Sequence, residues 1–261
     1  MQLFLSIFSF IFGLFFGSFL NVVIDRFPKK RSIIFGRSCC TFCKKKLQWY
    51  DLMPVLSYVF LLGHCRYCKK FIGFRYPIIE LLTGFSFFAS FYLAIHTSSL
   101  FTYQIIAFLY YVFVFSCLLC IFFIDLWHEI IPDFFVFPLV IVSFFYTFFL
   151  QIPFLFNALL SATVCAGFFL FLYLITKKRG MGKGDIKLSF FIGLFLGWPN
   201  AFLALYIAFL TGAFVSLILI IWGKRKLMGG VIPFGPFLVL GTVIALLLGN
   251  EIWQQILHFL F

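Results

Sequence analysis

Long apolar runs separated by short polar turns dominate this chain. Met1 to Ile24 is apolar and closes at Asp25-Arg26, and further runs cover Ile78 to Ile95, Tyr103 to Ile124, Phe134 to Leu150 and Phe154 to Ile175. Each is near the ~20 residues that a helix needs to cross about 30 Å of hydrocarbon. Leu188 to Trp222 then runs 35 residues without a charge. That is too long for one crossing, and the turn signal Gly197-Trp-Pro-Asn200 divides it in two. The first half, Ile186 to Gly197, has 12 residues, or about 18 Å of helix, so either the membrane thins there or the helix begins below the head groups. Val231 to Gly249 makes an eighth run. The pattern predicts an all-α polytopic membrane protein of about eight transmembrane helices, organised as a first helix (1–25), a polar loop (26–76) and a seven-helix membrane domain (77–261).

Composition sharpens the class. Of the 261 residues 64% are hydrophobic, 11% are charged and 45 are Phe, whereas about half of a soluble domain is apolar. A formal charge of +12 invites a nucleic-acid reading, but its distribution argues for topology. All 20 Lys and Arg fall in three clusters: 12 from Arg26 to Arg75, five from Lys177 to Lys187, and Lys224-Arg225-Lys226. Basic loops mark the cytoplasmic side and sit well against anionic head groups. Eight crossings put all three clusters, with Asp125 and Asp185, on that side and both termini outside; seven would not. The first run is expected to be retained, because its first charge follows the apolar stretch and no Ala-x-Ala site is present. Its Gly13, Gly17 and Ser18 form a small-residue face suited to close helix packing, and Trp253 suits an interfacial anchor.

The polar loop is too small to build a large core and needs a staple. Cys40-Thr-Phe-Cys43 and Cys65-Arg-Tyr-Cys68 supply one, two Cys-x-x-Cys pairs separated by 21 residues. That spacing suits a tetrahedral thiolate site, and Zn²⁺ fits it. Lys44, Lys45, Lys46, Arg66, Lys69 and Lys70 offset the thiolate charge. The alternative is two disulfides, which a reducing cytosol disfavours. Cys39 reads as packing, and His64 would be superfluous as a ligand. Cys117 and Cys120 also read Cys-x-x-Cys but lie inside an apolar run, where small packing explains them.

The chemistry centres on acids. Asp185 stands in Gly180-Met-Gly-Lys-Gly-Asp-Ile-Lys187 at the head of the longest apolar stretch, and Asp125 ends another run, opening Asp125-Leu-Trp-His-Glu-Ile-Ile-Pro-Asp133. Acids at a membrane edge are costly unless they pair, line a wet cavity or react. Two carboxylates brought together share a proton, so one takes a proton from water while the other donates to a carbonyl oxygen. That is the chemistry of an aspartyl protease. Gly182, Lys183 and Gly184 form the expected active-site loop, its glycines admitting a substrate backbone. No Gly-x-Ser-x-Gly nucleophile is present, and His128-Glu129 lacks the second His of a zinc protease. Asp133, after Pro132, reads as a helix cap, and Glu80 as an ion partner for Arg75 or Arg26. Plain solvation at the membrane edge is the competing reading for Asp125 and Asp185. A membrane transporter with acids in its ion path, and a structural protein of a secretion complex, are the rival classes; no internal repeat supports a carrier.

The chain resembles the type IV prepilin leader peptidase family. The resemblance rests on Gly17-Ser-Phe-Leu-Asn-Val-Val-Ile-Asp-Arg-Phe-Pro28, on the cysteine loop with Trp49-Tyr-Asp-Leu-Met-Pro-Val-Leu-Ser57 and Arg75-Tyr-Pro-Ile-Ile-Glu80, on Asp125 ahead of Ile131-Pro-Asp133, and on Gly182-Lys-Gly-Asp185. It implies a bacterial inner-membrane endopeptidase with Asp125 and Asp185 as catalytic acids. Such an enzyme cleaves the basic leader of prepilins or pseudopilins of pili, type II secretion or competence systems, just after a glycine. In many members it also methylates the new N-terminus from S-adenosylmethionine. Thr41 departs from the family's Cys-Pro-x-Cys knuckle, and no glycine-rich turn or acidic ribose partner marks a methyl-donor site.

Overall fold

The computed structural model describes residues 2–33, 35–97, 99–177, 181–222 and 233–260, the last five as backbone only. Lys178, Arg179 and Lys224-Arg225-Lys226, on which part of the topology reading rests, lie outside the described residues. The helices are α1 (Gln2–Arg26), α2 (Leu56–Phe60), α3 (Arg75–Thr97), α4 (Phe101–His128), α5 (Asp133–Leu150), α6 (Ile152–Ile175), α7 (Lys183–Leu196), α8 (Asn200–Ile221) and α9 (Gly235–Leu260), with a 3₁₀ turn at Trp49–Leu52. Among the described residues there is no strand, and seven helices, all but α2 and α7, are long and apolar enough to span a membrane. The all-α polytopic architecture read from the apolar runs is thus present. The short α7, 14 residues and about 21 Å long, is the element the sequence singled out. It gains its extra length at the start, where Lys183 and Gly184 occupy the first turn.

The helices form two compact units, Met1–Cys120 and Ile121–Phe261, the boundary falling within α4. In unit 1, α1 lies directly on α3. Side chains are missing where the two backbones come closest: a Cβ at Gly13 would stand 2.9 Å from Gly84 Cα, and one at Gly17 would stand 2.7 Å from Glu80 Cα. The small-residue face of the first run is therefore the packing face. Asp25 closes the loop-proximal end of this pair by accepting from Arg75 at 2.5 Å and from the Tyr76 hydroxyl at 3.1 Å. This corrects the expectation for Glu80. Arg75 takes Asp25, Arg26 donates to the carbonyls of Ser32, Phe35, Gly36 and Arg37, and buried Glu80 instead accepts the Val55 N–H at 2.8 Å.

In unit 2 the short helix is the centre. α7 packs against α5, α6, α8 and α9, and Leu188, Phe191, Ile192 and Leu194 are fully buried. A helix that is apolar all round is stabilised by burial on every side, not by an amphipathic stripe. Gly193 lets it lie against α6, since a Cβ there would sit 2.5 Å from Ala162 Cα. Gly241 of α9 comes equally close to the Ala204 carbonyl of α8. At the far end Gly197, with φ of 64°, stops α7, and Asn157 of α6 holds the turn by accepting the Trp198 N–H at 2.7 Å and donating to the Trp198 carbonyl at 3.0 Å. The Gly-Trp-Pro-Asn break is where the sequence put it.

Candidate active site and metal centre

The four cysteines of the polar loop converge. Their sulfur atoms all lie within 4.8 Å of one another, and Cys40 Sγ is 3.9 Å from Cys68 Sγ. Four thiolates at 2.3 Å from a tetrahedral zinc stand about 3.8 Å apart, so the set fits such an ion. A disulfide would need about 2.05 Å, and all eight cysteines are free. His64 is directed at the Leu62 carbonyl, 2.6 Å away, and exposed Cys39 stands apart from the cluster.

Local backbone hydrogen bonds build this geometry twice. In the first knuckle Cys40 N–H bonds to the Lys45 carbonyl and Lys44 N–H to the Cys40 carbonyl, both at 3.0 Å; in the second, Cys65 to Lys70 and Lys69 to Cys65 do the same at 2.9 Å. Lys44 and Lys69 both adopt positive φ, 59° and 57°, and isolated bridges Cys39–Lys46 and His64–Phe71 close each turn. The knuckles also exchange cations: Lys45 lies over the Tyr67 ring at 4.8 Å and Lys70 over the Phe42 ring at 5.2 Å. Thus the repeated string Cys-x-aromatic-Cys-Lys-Lys, at 40–45 and 65–70, folds as two equivalent turns, a local repeat too short to mark a carrier's inverted halves. Burial pushes the Cys40 thiol up, but the N–H groups of Cys43 and Phe42 outweigh it and bring it down to about 7. Cys68 moves the other way: the Lys70 N–H pulls it down, yet burial and the facing thiols lift it to about 11.

The two aspartates belong to unit 2. Asp125 is in the last turn of α4 and Asp185 in the first turn of α7, and both are buried, at 4% and 6% exposure. Each is held by one glycine N–H. Gly235, the first residue of α9, donates to Asp125 Oδ2 at 2.9 Å, and Gly182, the N-cap of α7, donates to Asp185 Oδ2 at 2.9 Å. Helix N-termini present unpaired N–H groups and positive partial charge, which is why carboxylates are stable there. Among the described residues Oδ1 of each aspartate carries no hydrogen bond, so each keeps one oxygen for water or substrate.

One side chain joins the two halves. Ile131, in the turn between α4 and α5, has its Cβ 2.7 Å from where a Gly184 Cβ would be and its Cδ1 3.2 Å from where a Gly235 Cβ would be. It therefore touches the glycine preceding Asp185 and the glycine that holds Asp125. Another acid of this end, Asp133, is the first residue of α5 and pairs with Lys187 at 2.7 Å, exposed and outside the buried pair. Lys183 is exposed, while Gly182 and Gly184 flank the Asp185 carboxylate. Gly235 and Ile131 are the residues that sequence reading missed. The signal for Gly235 is Pro233-Phe-Gly-Pro236, a glycine locked between prolines at a helix start; a Cβ there would lie 2.5 Å from Asp125 Oδ2.

A family model described as the Bacterial Peptidase A24 N-terminal domain matches residues 11–94, and one described as the Type IV leader peptidase family matches residues 112–217. A Prepilin leader peptidase/N-methyltransferase of Myxococcus xanthus is 43% identical over 49% of this chain and 36% of its own length. Proteins of the same name from Pseudomonas aeruginosa and Stutzerimonas stutzeri are 32% and 30% identical over 95% of this chain and over 91% and 92% of theirs. No solved structure matches. With both domains matched and relatives similar along nearly the whole chain, this protein belongs to the type IV leader peptidase family.

Proposed function

We propose that the chain is an aspartyl endopeptidase of the bacterial inner membrane that removes the basic leader of type IV prepilins or pseudopilins at the cytoplasmic face and methylates the exposed N-terminus. The observation that carries the peptidase reading is the pair of buried carboxylates, each pinned through Oδ2 by a glycine N–H and each with Oδ1 unbonded among the described residues. Asp125 and Asp185 are the catalytic acids. Sharing a proton, the ionised partner takes the proton of a water as it attacks the scissile carbonyl, and the protonated partner donates to the carbonyl oxygen. The glycine N–H groups hold the carboxylates in place through this exchange, Gly182 keeps its side of the Asp185 carboxylate free of a side chain, and Gly184 makes room for Ile131.

The transporter reading is not favoured, because the names of the relatives describe peptidases and the acids cluster at one end of the helices of unit 2. Cys40, Cys43, Cys65 and Cys68 would hold Zn²⁺ as a structural ion that ties the polar loop together. The basic clusters support a cytoplasmic loop and active site with both termini outside. S-Adenosylmethionine supplies an electrophilic methyl group for the amine that cleavage exposes. The deciding experiment incubates the purified protein with a prepilin and S-adenosylmethionine and measures the mass of the product's N-terminus. Expected is loss of the leader with a gain of one methyl; an intact prepilin would overturn the peptidase reading.

A further inference from the structure

The short helix of the cysteine loop, α2, is built the wrong way round for water. Ser57, Tyr58 and Leu61 face inward and line the space between the loop, α1 and α3, whereas Leu56, Val59 and Phe60 are exposed, Phe60 at 83%, and Leu62 follows at 79%. Their spacing of three and four residues puts 56, 59 and 60 on one helical face. A helix packed on a protein in water turns its apolar side chains in and its hydroxyls out. Here the hydroxyls of Ser57 and Tyr58 are turned in and the apolar stripe is turned out.

Depth explains the inversion. The N-cap of α2, Val55, donates to Glu80, five residues into α3. On the other side Tyr58 and Leu61 share a wall with Ser18 and Phe19 of α1, which precede Asp25 by seven and six residues. At 1.5 Å per residue these positions lie about 7–10 Å below the Asp25–Arg75 pair that closes the two helices. Both helices are long and apolar enough to span a membrane. α2 therefore lies beside them at the depth, roughly 5–10 Å, to which interfacial helices bury their apolar face.

Charge identifies what surrounds it. Residues 26–76 carry 12 Lys and Arg against one acid, Asp51, which is paired with Arg66. Lys29, Lys30 and Arg31 follow the end of α1 directly and are exposed, at the level of lipid phosphates. We propose that α2 with Leu62 is an interfacial anchor inserted in the leaflet where α1 ends, and that its partner is the anionic phospholipid of that leaflet. Leu56, Val59, Phe60 and Leu62 enter among the upper acyl carbons, while Lys29, Lys30 and Arg31 meet phosphate groups. The anchor seats the two knuckles on the membrane surface. The inference rests on α1 and α3 spanning the bilayer and is independent of the peptidase reading.

Photochemical cross-linking of the full chain tests it, in nanodiscs of equimolar phosphatidylcholine and phosphatidylglycerol. Photoreactive benzoylphenylalanine replaces Phe60, Leu62 or, as a reference within α1, the exposed Phe15, and adducts are identified by mass. Lipid adducts at 60 and 62 should form within about threefold of the yield at 15. Phosphatidylglycerol should exceed phosphatidylcholine at least twofold at 60, the excess shrinking as salt screens the loop. Phe60→Asp should lower the lipid adduct at 62 at least fivefold, because a carboxylate is costly at that depth. Adducts at 60 and 62 to protein alone would show a face covered by another chain or by unit 2, and no adduct would show a face in water; either overturns the anchor. Equal shares of the two lipids would overturn its anionic partner. If position 15 also fails to reach lipid, α1 does not span the bilayer, and the anchor falls with it.

Discussion

The cysteine loop and the aspartate pair each bring distant residues to one point, but by different means. In the loop, each knuckle is folded by backbone hydrogen bonds made within its own six residues, and the second knuckle repeats the first. In unit 2 nothing local aims Asp125 at Asp185. They lie on α4 and α7, and what relates them is Ile131 resting on Gly184 and Gly235, backed by α7 buried among four helices. The geometry of each knuckle is thus a property of short sequence, whereas the placing of the aspartate pair is a property of packing. Perturbations should separate the two.

The largest effect is expected at the acids themselves. Asp125→Asn and Asp185→Asn preserve shape and the glycine hydrogen bonds but end proton exchange, so each should lower prepilin cleavage by roughly 10²–10⁴-fold with membrane insertion unchanged. Cleavage by purified protein, read on gels alongside insertion, checks this; activity retained in either variant would remove the dyad.

Next come substitutions that touch only the packing. Gly235→Ala would place a methyl against Asp125 Oδ2, 2.5 Å away before relaxation. It should cost about 100-fold in kcat, the scale of a 1 Å misplacement of a catalytic group, with little change in KM. A matched Gly36→Ala in unit 1, whose Cβ would meet nothing closer than 3.6 Å, should leave cleavage within about threefold, the backbone strain at its φ of 107° notwithstanding. Equal losses in both would mean that glycine content, not contact with Asp125, matters.

This division explains what the sequence disclosed. The cysteines were legible because their spacing is their geometry, and the helices because each apolar run has a membrane's length. The two acids were legible as expensive charges, but their partners were not. Gly235 lies 110 residues from Asp125, and Ile131 looks like any other apolar residue of a turn. Glu80 was misassigned for a related reason: charge suggested an ion pair, while the fold had already given Arg75 to Asp25 and presented Glu80 with the Val55 N–H. Sign and spacing can be read along a chain; the exclusivity of a partner cannot.

The metal loop should respond by another readout. One zinc per chain is expected by elemental analysis, and Cys40→Ser should weaken retention by more than about 100-fold while prepilin cleavage falls less than tenfold. Acidification should do the same reversibly. Zinc needs thiolates, so protons compete with it. The Cys40 thiol, at about 7 without metal, gives its proton up readily, whereas Cys68, at about 11, must be deprotonated by the ion itself. The bound ion holds its ligands ionised well below those values, so zinc released to a colorimetric chelator should be slight from pH 8 down to about 5 and rise steeply in stronger acid. Retention that stays flat down to about pH 2 would count against a thiolate site.

The smallest effect distinguishes an exposed acid from the pair. Asp133 and Lys187 meet at 2.7 Å, but their side chains are 54% and 38% exposed, and an ion pair so placed contributes about 0–1 kcal/mol. Asp133→Asn should change cleavage less than about threefold and lower the unfolding temperature only slightly, the loss fading as salt screens the pair. It lies at the same end of the helices as Asp125 and carries the same charge, so it isolates the variable that matters. If burial against a helix N-terminus makes a carboxylate catalytic in unit 2, the exposed acid must be dispensable. A loss at Asp133 comparable to that at Asp125 would show that position at this end of the unit suffices, and the buried pair would lose its privilege.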